Sequence, residues 1–271
     1  MTTSEYNFER CKLCGQHTAA ATYDLISSMI YVCHNCDFHF LNYLDTTPEN
    51  RNNSMPLNSQ NQQYLQARAD ENAHLHQSRL QLVLNHMHLS GAKVLDIGAG
   101  LGQFQLLLNA QGASCHGIEP STIRREYARK MSEITLHAEL VDDNYWQTTY
   151  QQYFDAITLW DVIEHVNFPK ETLEAACQLL KPGGRLFLDT PSRSCFTYRI
   201  SQRCYRYLPG KTSLFLPGFY STAPYGHKQI FTRAQLTKLM THCGLEIISS
   251  ARSYPNQRFS SNKIILAGSK I

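Results

Sequence analysis

The sequence predicts an α/β fold in which helices cover a mostly parallel β-sheet, with a small cysteine-rich module before it. Three observations predict this arrangement. Short apolar runs alternate with helical stretches through residues 93–189, which is typical of parallel strands joined by helices. The last two predicted strands are joined by a loop instead of a helix, which indicates an antiparallel hairpin. Four cysteines lie within the first 40 residues.

Length and composition fit one large core with a small additional module. The chain has 271 residues, of which 42% are hydrophobic and 17% charged, so a largely disordered or fibrous chain is excluded. No run reaches the roughly 18 apolar residues of a membrane-spanning helix. Glu5 and Glu9 stand where a secretory signal would be apolar. We therefore expect no transmembrane segment and a cytoplasmic location.

The four N-terminal cysteines form two C-x2-C pairs, Cys11 with Cys14 and Cys33 with Cys36. Each pair can sit on a tight turn and direct two thiolates at one tetrahedral ion. The other five cysteines are scattered singly, which argues against a disulfide framework. We predict a structural Zn²⁺ site in a zinc-ribbon module over residues 1–44, whose folding depends on the metal. A redox pair or simple burial is the alternative.

The rest of the chain divides into a linker and a main domain. Residues 45–63 are rich in Asn, Gln, Ser and Pro and predict a linker. Residues 64–271 form the main domain, which opens with a helix over 64–89. Further helices are predicted at 104–110, 120–131 and 175–180, and strands at 93–97, 114–119, within 134–141, and at 154–159, 185–189, 246–249 and 263–267.

A glycine-rich turn is the first sign of a binding site. The run from Val94 to Gly102 ends a strand and opens a helix, with glycines in a G-x-G-x-G spacing that let the backbone approach a ligand. The spacing differs from the G-x-G-x-x-G of dinucleotide folds. Asp96 lies two residues before the first glycine. Glu119 closes the next strand, where a carboxylate can accept hydrogen bonds from both ribose hydroxyls of an adenosine ligand.

At these residues the sequence resembles the class I S-adenosylmethionine-dependent methyltransferases. Residues 154–166 resemble the fourth-strand segment of that family, and residues 179–188 its turn into the fifth strand. Residues 227–246 are similar to the histidine-led helix that many small-molecule members place before the last two strands. The resemblance covers about residues 85–270. It implies a Rossmann-like doubly wound sheet with a C-terminal antiparallel hairpin.

The resemblance also implies a cofactor, S-adenosyl-L-methionine, and the residues that hold it. The glycine-rich turn would wrap its methionine part, Glu119 would hold its ribose, and Asp96 would lie under its amino-acid portion through a water. Trp160 would form the floor beside the reactive methyl together with Asp161, although core packing is an equal alternative for Trp160. The remaining implied positions are Gly98, Ala99, Gly100 and Gly102 in the turn, and Ala138, Glu139 and Leu140 beside the adenine.

The candidate catalytic residues are His227, His165 and Asp161. His227 follows an aromatic segment that should face the substrate, so it could act as a base, bond the substrate, or fix that segment against the core. His165 is expected to open a helix, where it could be a general base or have a capping or positioning role. A base helps when the acceptor is a hydroxyl and is dispensable for a softer nucleophile, because a sulfonium methyl is already activated.

The charge distribution concerns the acceptor. The whole chain carries a formal net charge of +3, yet no Asp or Glu occurs from Thr190 to Leu245. Arginines beside aromatic residues can bind phosphates and stack on planar rings. We therefore interpret residues 190–226 as a substrate-facing insertion and expect a small anionic acceptor, such as a nucleotide- or lipid-linked sugar, methylated on oxygen or carbon. The resemblance supports this, since members with an N-terminal zinc module often act in sugar pathways.

Other functions remain as alternatives. The main one is RNA methylation, in which the ribbon and the basic segment would grip a nucleic acid. Against it, residues 1–40 hold only Arg10 and Lys12 as basic side chains. The basic segment could also be a solvated or membrane-facing surface. A ribbon protein that has kept the fold and lost the cofactor is the remaining alternative.

Overall fold

The computed structural model describes residues 5–45, 57–208, 213–223, 226–255 and 263–271, and most of the predicted linker lies outside them. The strands are β1 Ala19–Asp24, β2 Met29–Cys33, β3 His39–Leu41, β4 Lys93–Ile97, β5 Ser114–Ile118, β6 Phe154–Trp160, β7 Leu180–Pro191, β8 Gln229–Ile230, β9 Leu245–Ala251 and β10 Lys263–Lys270. The helices are α1 Ser59–Leu84, α2 Gln103–Ala110, α3 Thr122–Ser132, α4 Asn144–Thr149, α5 Pro169–Leu179, α6 Phe196–Tyr207 and α7 Arg233–His242, with a short 3₁₀ helix at Leu216–Phe219.

The main sheet has six strands in the order β5-β4-β6-β7-β10-β9. The strands from β5 to β7 pair in parallel, whereas β10 runs antiparallel to both β7 and β9. This confirms the parallel α/β sheet and the antiparallel hairpin at its C-terminal end. In the parallel part, Ile97 lies level with Ile118 and with Leu159, so the residues that follow these strands meet at one edge of the sheet.

Apolar residues cover both faces of this sheet, because successive residues of a strand point to opposite sides. Val94 and Phe187 are fully buried and pack in a cluster with Leu80 of α1 and with residues of α2. Their neighbours Leu95 and Leu186 belong to a second cluster, which contains residues of α5 and α7. The sheet is therefore wound on both sides, as the resemblance implied.

The prediction of a strand within residues 134–141 is wrong. Only His137 pairs, in an isolated parallel bridge to Ile118. The segment is short because Glu133 adopts a left-handed conformation with φ 57° at the end of α3. The chain then turns again at Asp143, whose N–H bonds the Leu140 carbonyl at 2.9 Å before α4 begins. Between the two turns there is room for one bridge and not for a ladder.

Several predicted boundaries also shift. Helix α1 begins five residues earlier than predicted, where the Asn58 side chain accepts a hydrogen bond from Asn61 N–H, and it ends at Leu84 instead of residue 89. Helix α5 begins at Pro169, since proline is well suited to the first helical turn. Strand β7 begins at Leu180 and runs through the turn predicted at 181–184.

The ribbon has its own antiparallel sheet, in the order β1-β2-β3-β8. Its last strand, β8, comes from a distant part of the chain, which the sequence did not reveal. Phe38 and Phe40 are fully buried, and the Phe38 ring lies 5.0 Å from that of Phe231, beside residues of α7. The ribbon and the main sheet thus share an apolar cluster. The division of the chain at residue 44 stays a prediction.

Candidate functional site

The glycine-rich turn lies between β4 and α2 and is open toward solvent at its centre. Gly98, Gly100 and Gly102 have φ values of 71°, 59° and 76°, a region that L side chains rarely adopt. A Cβ at Gly98 would lie 2.4 Å from Cγ2 of Val162, so that position has no space for a side chain. A Cβ at Gly100 would meet nothing within 4 Å. The backbone at Gly100 is therefore free for a ligand to approach.

Two buried carboxyl groups flank this turn. Glu119 accepts hydrogen bonds from the N–H groups of Gly100 and Ser121, each at 2.9 Å, and burial raises its pKa. Asp96 accepts a hydrogen bond of 2.6 Å from the Thr158 hydroxyl, and burial raises its pKa to about 7. Both acids thus stand where the sequence predicted them, at the ends of neighbouring parallel strands.

Helix α1 closes the other side of a cleft of about 260 Å³ above the turn. This wall was not predicted from the sequence, although its residues recur at helical spacing from Tyr64 to Arg79. The cleft also contains Trp160, whose ring packs edge-on against Phe104 at 5.4 Å, so Trp160 belongs both to the core and to the cleft. The residues contributed by α1 are Tyr64, Leu65, Arg68, Ala69, Asn72, His76 and Arg79.

Two buried polar atoms in this cleft have no hydrogen-bond partner among the described residues. They are Nδ1 of His76 and Nε1 of Trp160. Burial and the neighbouring Arg79 lower the pKa of His76 to about 4, so its ring is neutral at pH 7. Buried polar groups are usually satisfied. The cleft therefore has the space, the backbone access and the unused hydrogen-bonding atoms that a polar ligand requires.

The residues predicted to contact adenine do not line this cleft. Ala138 and Glu139 are exposed and Leu140 is half-buried, just beyond the bridge at His137. The segment is nevertheless next to Glu119, whose N–H bonds the His137 carbonyl at 2.9 Å. Their contact with adenine stays a prediction.

A buried ion cluster at the ends of β6 and β7 was not predicted from the sequence. Asp189 is fully buried and accepts two hydrogen bonds from Arg79, at 2.8 and 2.9 Å, and one from the Tyr254 hydroxyl at 2.7 Å. Lys263 lies 3.2 Å away. Burial alone would raise the pKa of Asp189. The positive charges of Arg79 and Lys263 outweigh this effect of burial and hold the pKa of Asp189 at about 2.

Asp161 is attached to the same cluster. Its backbone is left-handed, with φ 53°, and its N–H bonds Oδ1 of Asp189 at 2.9 Å. Its carboxylate is paired with Arg79 at 2.6 Å and with Lys263. Both cations therefore hold this carboxylate in place. The catalytic role predicted for Asp161 stays a prediction, and its observed contacts are those of a positioning residue.

The two predicted catalytic histidines lie together. The ring centroids of His165 and His227 are 4.8 Å apart, and Glu164 joins them, with ligand atoms of all three within 4.8 Å of one another. Glu164 is fully buried and neither of its carboxyl oxygens has a hydrogen-bond partner within the described ranges. Burial and the nearby Asp161 raise the pKa of Glu164 to about 8. In the sequence, Glu164 stands out only as part of the segment 154–166.

The expectation that His165 opens a helix is wrong. His165 lies in a turn, where its N–H bonds the Val162 carbonyl at 2.9 Å, and α5 begins only at Pro169. Proline disfavours helical geometry in the residue that precedes it, so the helix does not start earlier. Burial and the neighbouring His227 lower the pKa of His165 to about 3. Val162, in the same turn, faces Gly98, so the turn that carries His165 packs against the glycine-rich turn.

His227 is fixed in one orientation and one tautomer. Its Nδ1 lies 3.2 Å from the Phe219 carbonyl, which can only accept, so Nδ1 carries the proton and Nε2 keeps its lone pair. Burial lowers the pKa of His227. The following residues hold it in place: Lys228 N–H bonds the Glu164 carbonyl at 2.8 Å, and the Gln229 side chain bonds the Ile163 carbonyl at 2.9 Å.

The four N-terminal cysteines also converge. All four Sγ atoms lie within 4.8 Å of one another, and the pairs Cys11–Cys36 and Cys14–Cys33 are each 3.6 Å apart. None of the nine cysteines forms a disulfide in the structure as described. A tetrahedral ion with bonds of about 2.3 Å separates its sulfur ligands by roughly 3.8 Å. The cluster therefore has the dimensions of a four-thiolate site.

Comparison with known proteins identifies the family. A family described as "Methyltransferase domain" matches residues 59–250, most of the chain. The chain belongs to this methyltransferase family. It is an S-adenosylmethionine-dependent methyltransferase, which agrees with the cofactor that the resemblance implied. No helix of the described residues is long and apolar enough to span a membrane.

Three proteins similar to the methyltransferase share less than a third of the aligned residues with it. A protein named ubiquinone biosynthesis O-methyltransferase from Azoarcus sp. (strain BH72) is 29% identical over 63% of this chain and 71% of its own length. Among solved structures, an S-adenosylmethionine-dependent methyltransferase from Methanosarcina mazei matches with a TM-score of 0.54 at 18% identity, over 70% of this chain and 97% of its own. Magnesium protoporphyrin IX methyltransferase from Synechocystis PCC 6803, with bound SAH, matches with a TM-score of 0.51 at 16% identity, over 78% and 84%. The two structures support the fold.

The ion cluster predicts a large and pH-dependent loss of stability in Asp189→Asn. Removing this carboxylate leaves buried Arg79 and half-buried Lys263 without their central partner, which costs about 3–5 kcal/mol of unfolding free energy. Because the folded pKa of about 2 lies below the unfolded value near 3.9, the stabilisation by Asp189 is complete above about pH 4 and is lost toward pH 2. Urea unfolding of the wild type and the variant between pH 3 and pH 8 measures this difference in unfolding free energy.

The matched control is Asp142→Asn, because Asp142 is exposed. This control should change stability by less than about 0.5 kcal/mol. An Asp189→Asn variant within 1 kcal/mol of the wild type at pH 7 would contradict the central place given to this carboxylate.

Proposed function

We propose that this methyltransferase transfers a methyl group to a hydroxyl oxygen of a small anionic molecule, with His227 as the general base. The observation that carries the proposal is the hydrogen bond from Nδ1 of His227 to the Phe219 carbonyl, which leaves Nε2 as a proton acceptor. A hydroxyl becomes a strong nucleophile only when its proton is removed as it attacks, and a neutral imidazole suits that task.

The cofactor is proposed to lie in the cleft between the glycine-rich turn and α1. Glu119 would accept hydrogen bonds from the ribose hydroxyls, and the backbone at Gly98–Gly102 would follow the methionine part. The unpartnered Nδ1 of His76 and Nε1 of Trp160 supply further bonds. When bound there, S-adenosyl-L-methionine supplies an activated sulfonium methyl group. What the protein adds is alignment of the acceptor and a site for its proton.

The cluster around His227 supports its role as base. Burial keeps His227 and His165 neutral at pH 7, since the pKa of each is lowered. Glu164, with its raised pKa of about 8, stays largely protonated and adds little negative charge. His165 would then position the acceptor hydroxyl, and Asp161 would hold the turn through its pairs with Arg79 and Lys263.

Oxygen as the acceptor atom and a small molecule as the acceptor agree with the names of the relatives, which are O-methyltransferases of ubiquinone biosynthesis. A negative charge on the acceptor agrees with the absence of acidic residues from Thr190 to Leu245. A sugar or a phenol bearing a phosphate or carboxylate would satisfy both. RNA is less well supported, because Lys12 of the ribbon is buried and its Nζ bonds the Tyr43 carbonyl at 3.1 Å.

The ribbon is proposed to hold one structural Zn²⁺ on Cys11, Cys14, Cys33 and Cys36. Four thiolates close the coordination shell, so this ion would take no part in the chemistry. It would fix the turn that carries Asp37 and His39, whose partners lie in the segment around α6. The metal would thereby support the segment that leads to His227.

The acceptor can be identified with a deuterated-methyl donor. The full chain is incubated with this donor and a small-molecule metabolite extract, and labelled products are identified by mass spectrometry. The proposal predicts label on the oxygen of an anionic small molecule. Label found only on nitrogen, or only in added bulk RNA, would contradict it.

Glu119→Gln is expected to weaken cofactor binding by roughly 10–100-fold, because hydrogen bonds to a charged group contribute about 1.5–3 kcal/mol. Calorimetric titration with S-adenosyl-L-methionine measures the affinity. Glu126→Gln is the matched control, since Glu126 lies on nearby α3 and pairs with Lys130. Equal affinities in the two variants would contradict the ribose contact.

His227→Gln is expected to lower kcat at least 100-fold with the labelled acceptor, since general bases contribute about 10²–10⁴. Cofactor affinity should not change. In the wild type, the acid limb of the rate profile should lie below the ordinary histidine pKa of about 6.5, because burial lowers the pKa of His227. His88→Gln, at an exposed histidine, should be fully active. If His227→Gln keeps half or more of the wild-type activity, His227 is ruled out as the general base.

The metal is tested by elemental analysis and hydrogen exchange. The purified chain should carry one zinc, and Cys33→Ser should lose it and show faster amide exchange in residues 5–45, because metal binding contributes folding energy. Cys204→Ser, at a half-buried cysteine outside the cluster, should keep the zinc. Retention of zinc by Cys33→Ser would contradict the assignment.

A further inference from the structure

We infer a second ligand site, for a phosphate-bearing molecule such as a nucleoside diphosphate, in the groove between the ribbon and α6. We call it the arginine groove; its chief lining residues are Tyr23, His34, Arg199, Arg203, Arg206 and Tyr207. It measures about 480 Å³, within the range of small-molecule pockets. It shares no lining residue with the cofactor cleft.

Three arginines form a single stripe along the outer face of α6. Arg199, Arg203 and Arg206 are spaced by four and three residues, so their side chains project from the same side over about 10 Å of helix. All three are exposed. Within the part of the chain that the structure describes, none of their side chains forms an ion pair or a hydrogen bond.

No carboxylate among the described lining residues of the groove pairs with these arginines. Its one acidic lining residue is Asp37, and that carboxylate is already held by Arg193 and His39. By contrast, Arg79 and Lys263 at the cofactor cleft each have carboxylate partners. The stripe therefore offers guanidinium donors for an anion from outside the chain.

The chemistry of the groove favours phosphate esters with a planar group. A guanidinium forms two parallel hydrogen bonds to a phosphate, and guanidinium groups on neighbouring turns can share a diphosphate. Beside the stripe, the Tyr207 side chain is 75% exposed at the C-terminal end of α6, and His34 is exposed on the ribbon. Flat exposed rings next to a basic stripe are suited to stack on a nucleobase.

The groove is connected to the residues around His227 by direct contacts. His39, which lies in the groove, has its Nδ1 2.9 Å from the Tyr198 hydroxyl. The Tyr198 ring packs against Phe219 at 5.1 Å, and the Phe219 carbonyl is the one that fixes His227. The inference does not depend on the proposed reaction, since it concerns binding alone.

The test is calorimetric titration of the full chain with UDP and with inorganic pyrophosphate, in the presence of saturating S-adenosylhomocysteine to fill the cofactor cleft. We expect one UDP per chain, bound more weakly as salt rises. The triple variant Arg199→Gln, Arg203→Gln, Arg206→Gln should bind at least tenfold more weakly. The double variant Arg129→Gln, Arg252→Gln should bind as the wild type does, because these exposed arginines lie elsewhere.

A second experiment distinguishes a lipid headgroup from a soluble phosphate ester as the source of the phosphate. Sedimentation with phosphatidylglycerol vesicles, compared with phosphatidylcholine vesicles, tests a lipid headgroup. The site is supported if the wild type binds a soluble diphosphate or anionic vesicles and the triple variant does not. The probe that binds then identifies the ligand class. Failure of all three probes to bind at millimolar phosphate, or equal binding by the triple variant, overturns it. If the triple variant melts well below the wild type, Arg203→Gln alone provides the same comparison.

Discussion

The buried carboxylate of Asp189 is the constraint on which the cleft between α1 and the glycine-rich turn depends. A fully buried anion must be paired, and Asp189 draws its partners from four separate parts of the chain. They are Arg79 of α1, the backbone of Asp161 after β6, Tyr254 and Lys263 of β10. By holding Arg79, Asp189 fixes α1 above the glycine-rich turn and so forms the second wall of the cleft. By holding Asp161 in a left-handed conformation, it directs the following turn toward Gly98.

A second constraint links the ribbon to the proposed base. Residues 228–230 pair with β3 of the ribbon on one side, and Lys228 and Gln229 bond the turn at 163–166 on the other. Lys228 is itself fully buried and paired with Asp45 at 2.8 Å. His227 therefore stands between the ribbon and the turn that carries His165. A metal-bound ribbon in this place would brace the segment that carries the base, which gives a structural reason for joining a ribbon to a methyltransferase domain.

The sequence predicted the features that depend on local pattern. The glycine-rich turn, the acid at Glu119, the C-x2-C pairs and the C-terminal hairpin each follow from a few neighbouring residues, and each is found in the structure. The features that the sequence did not predict join distant residues. Arg79 and Asp189 are 110 positions apart, and neither stands in a motif. Strand β8 has two residues and forms only because β3 offers it an edge, so no periodicity could reveal it. The strand expected within 134–141 was lost to two turns that the pattern did not show.

One structure would test the account most directly: a crystal structure of the full chain with S-adenosylhomocysteine. We expect the ribose hydroxyls on Glu119, the amino-acid part along Gly98–Gly102, and the sulfur atom facing the His165 and His227 rings, with the contacts of Asp189 unchanged. A sulfur atom facing away from both histidines would contradict the assignment of His227 as base. A cofactor bound outside the cleft beneath α1 would contradict the site itself.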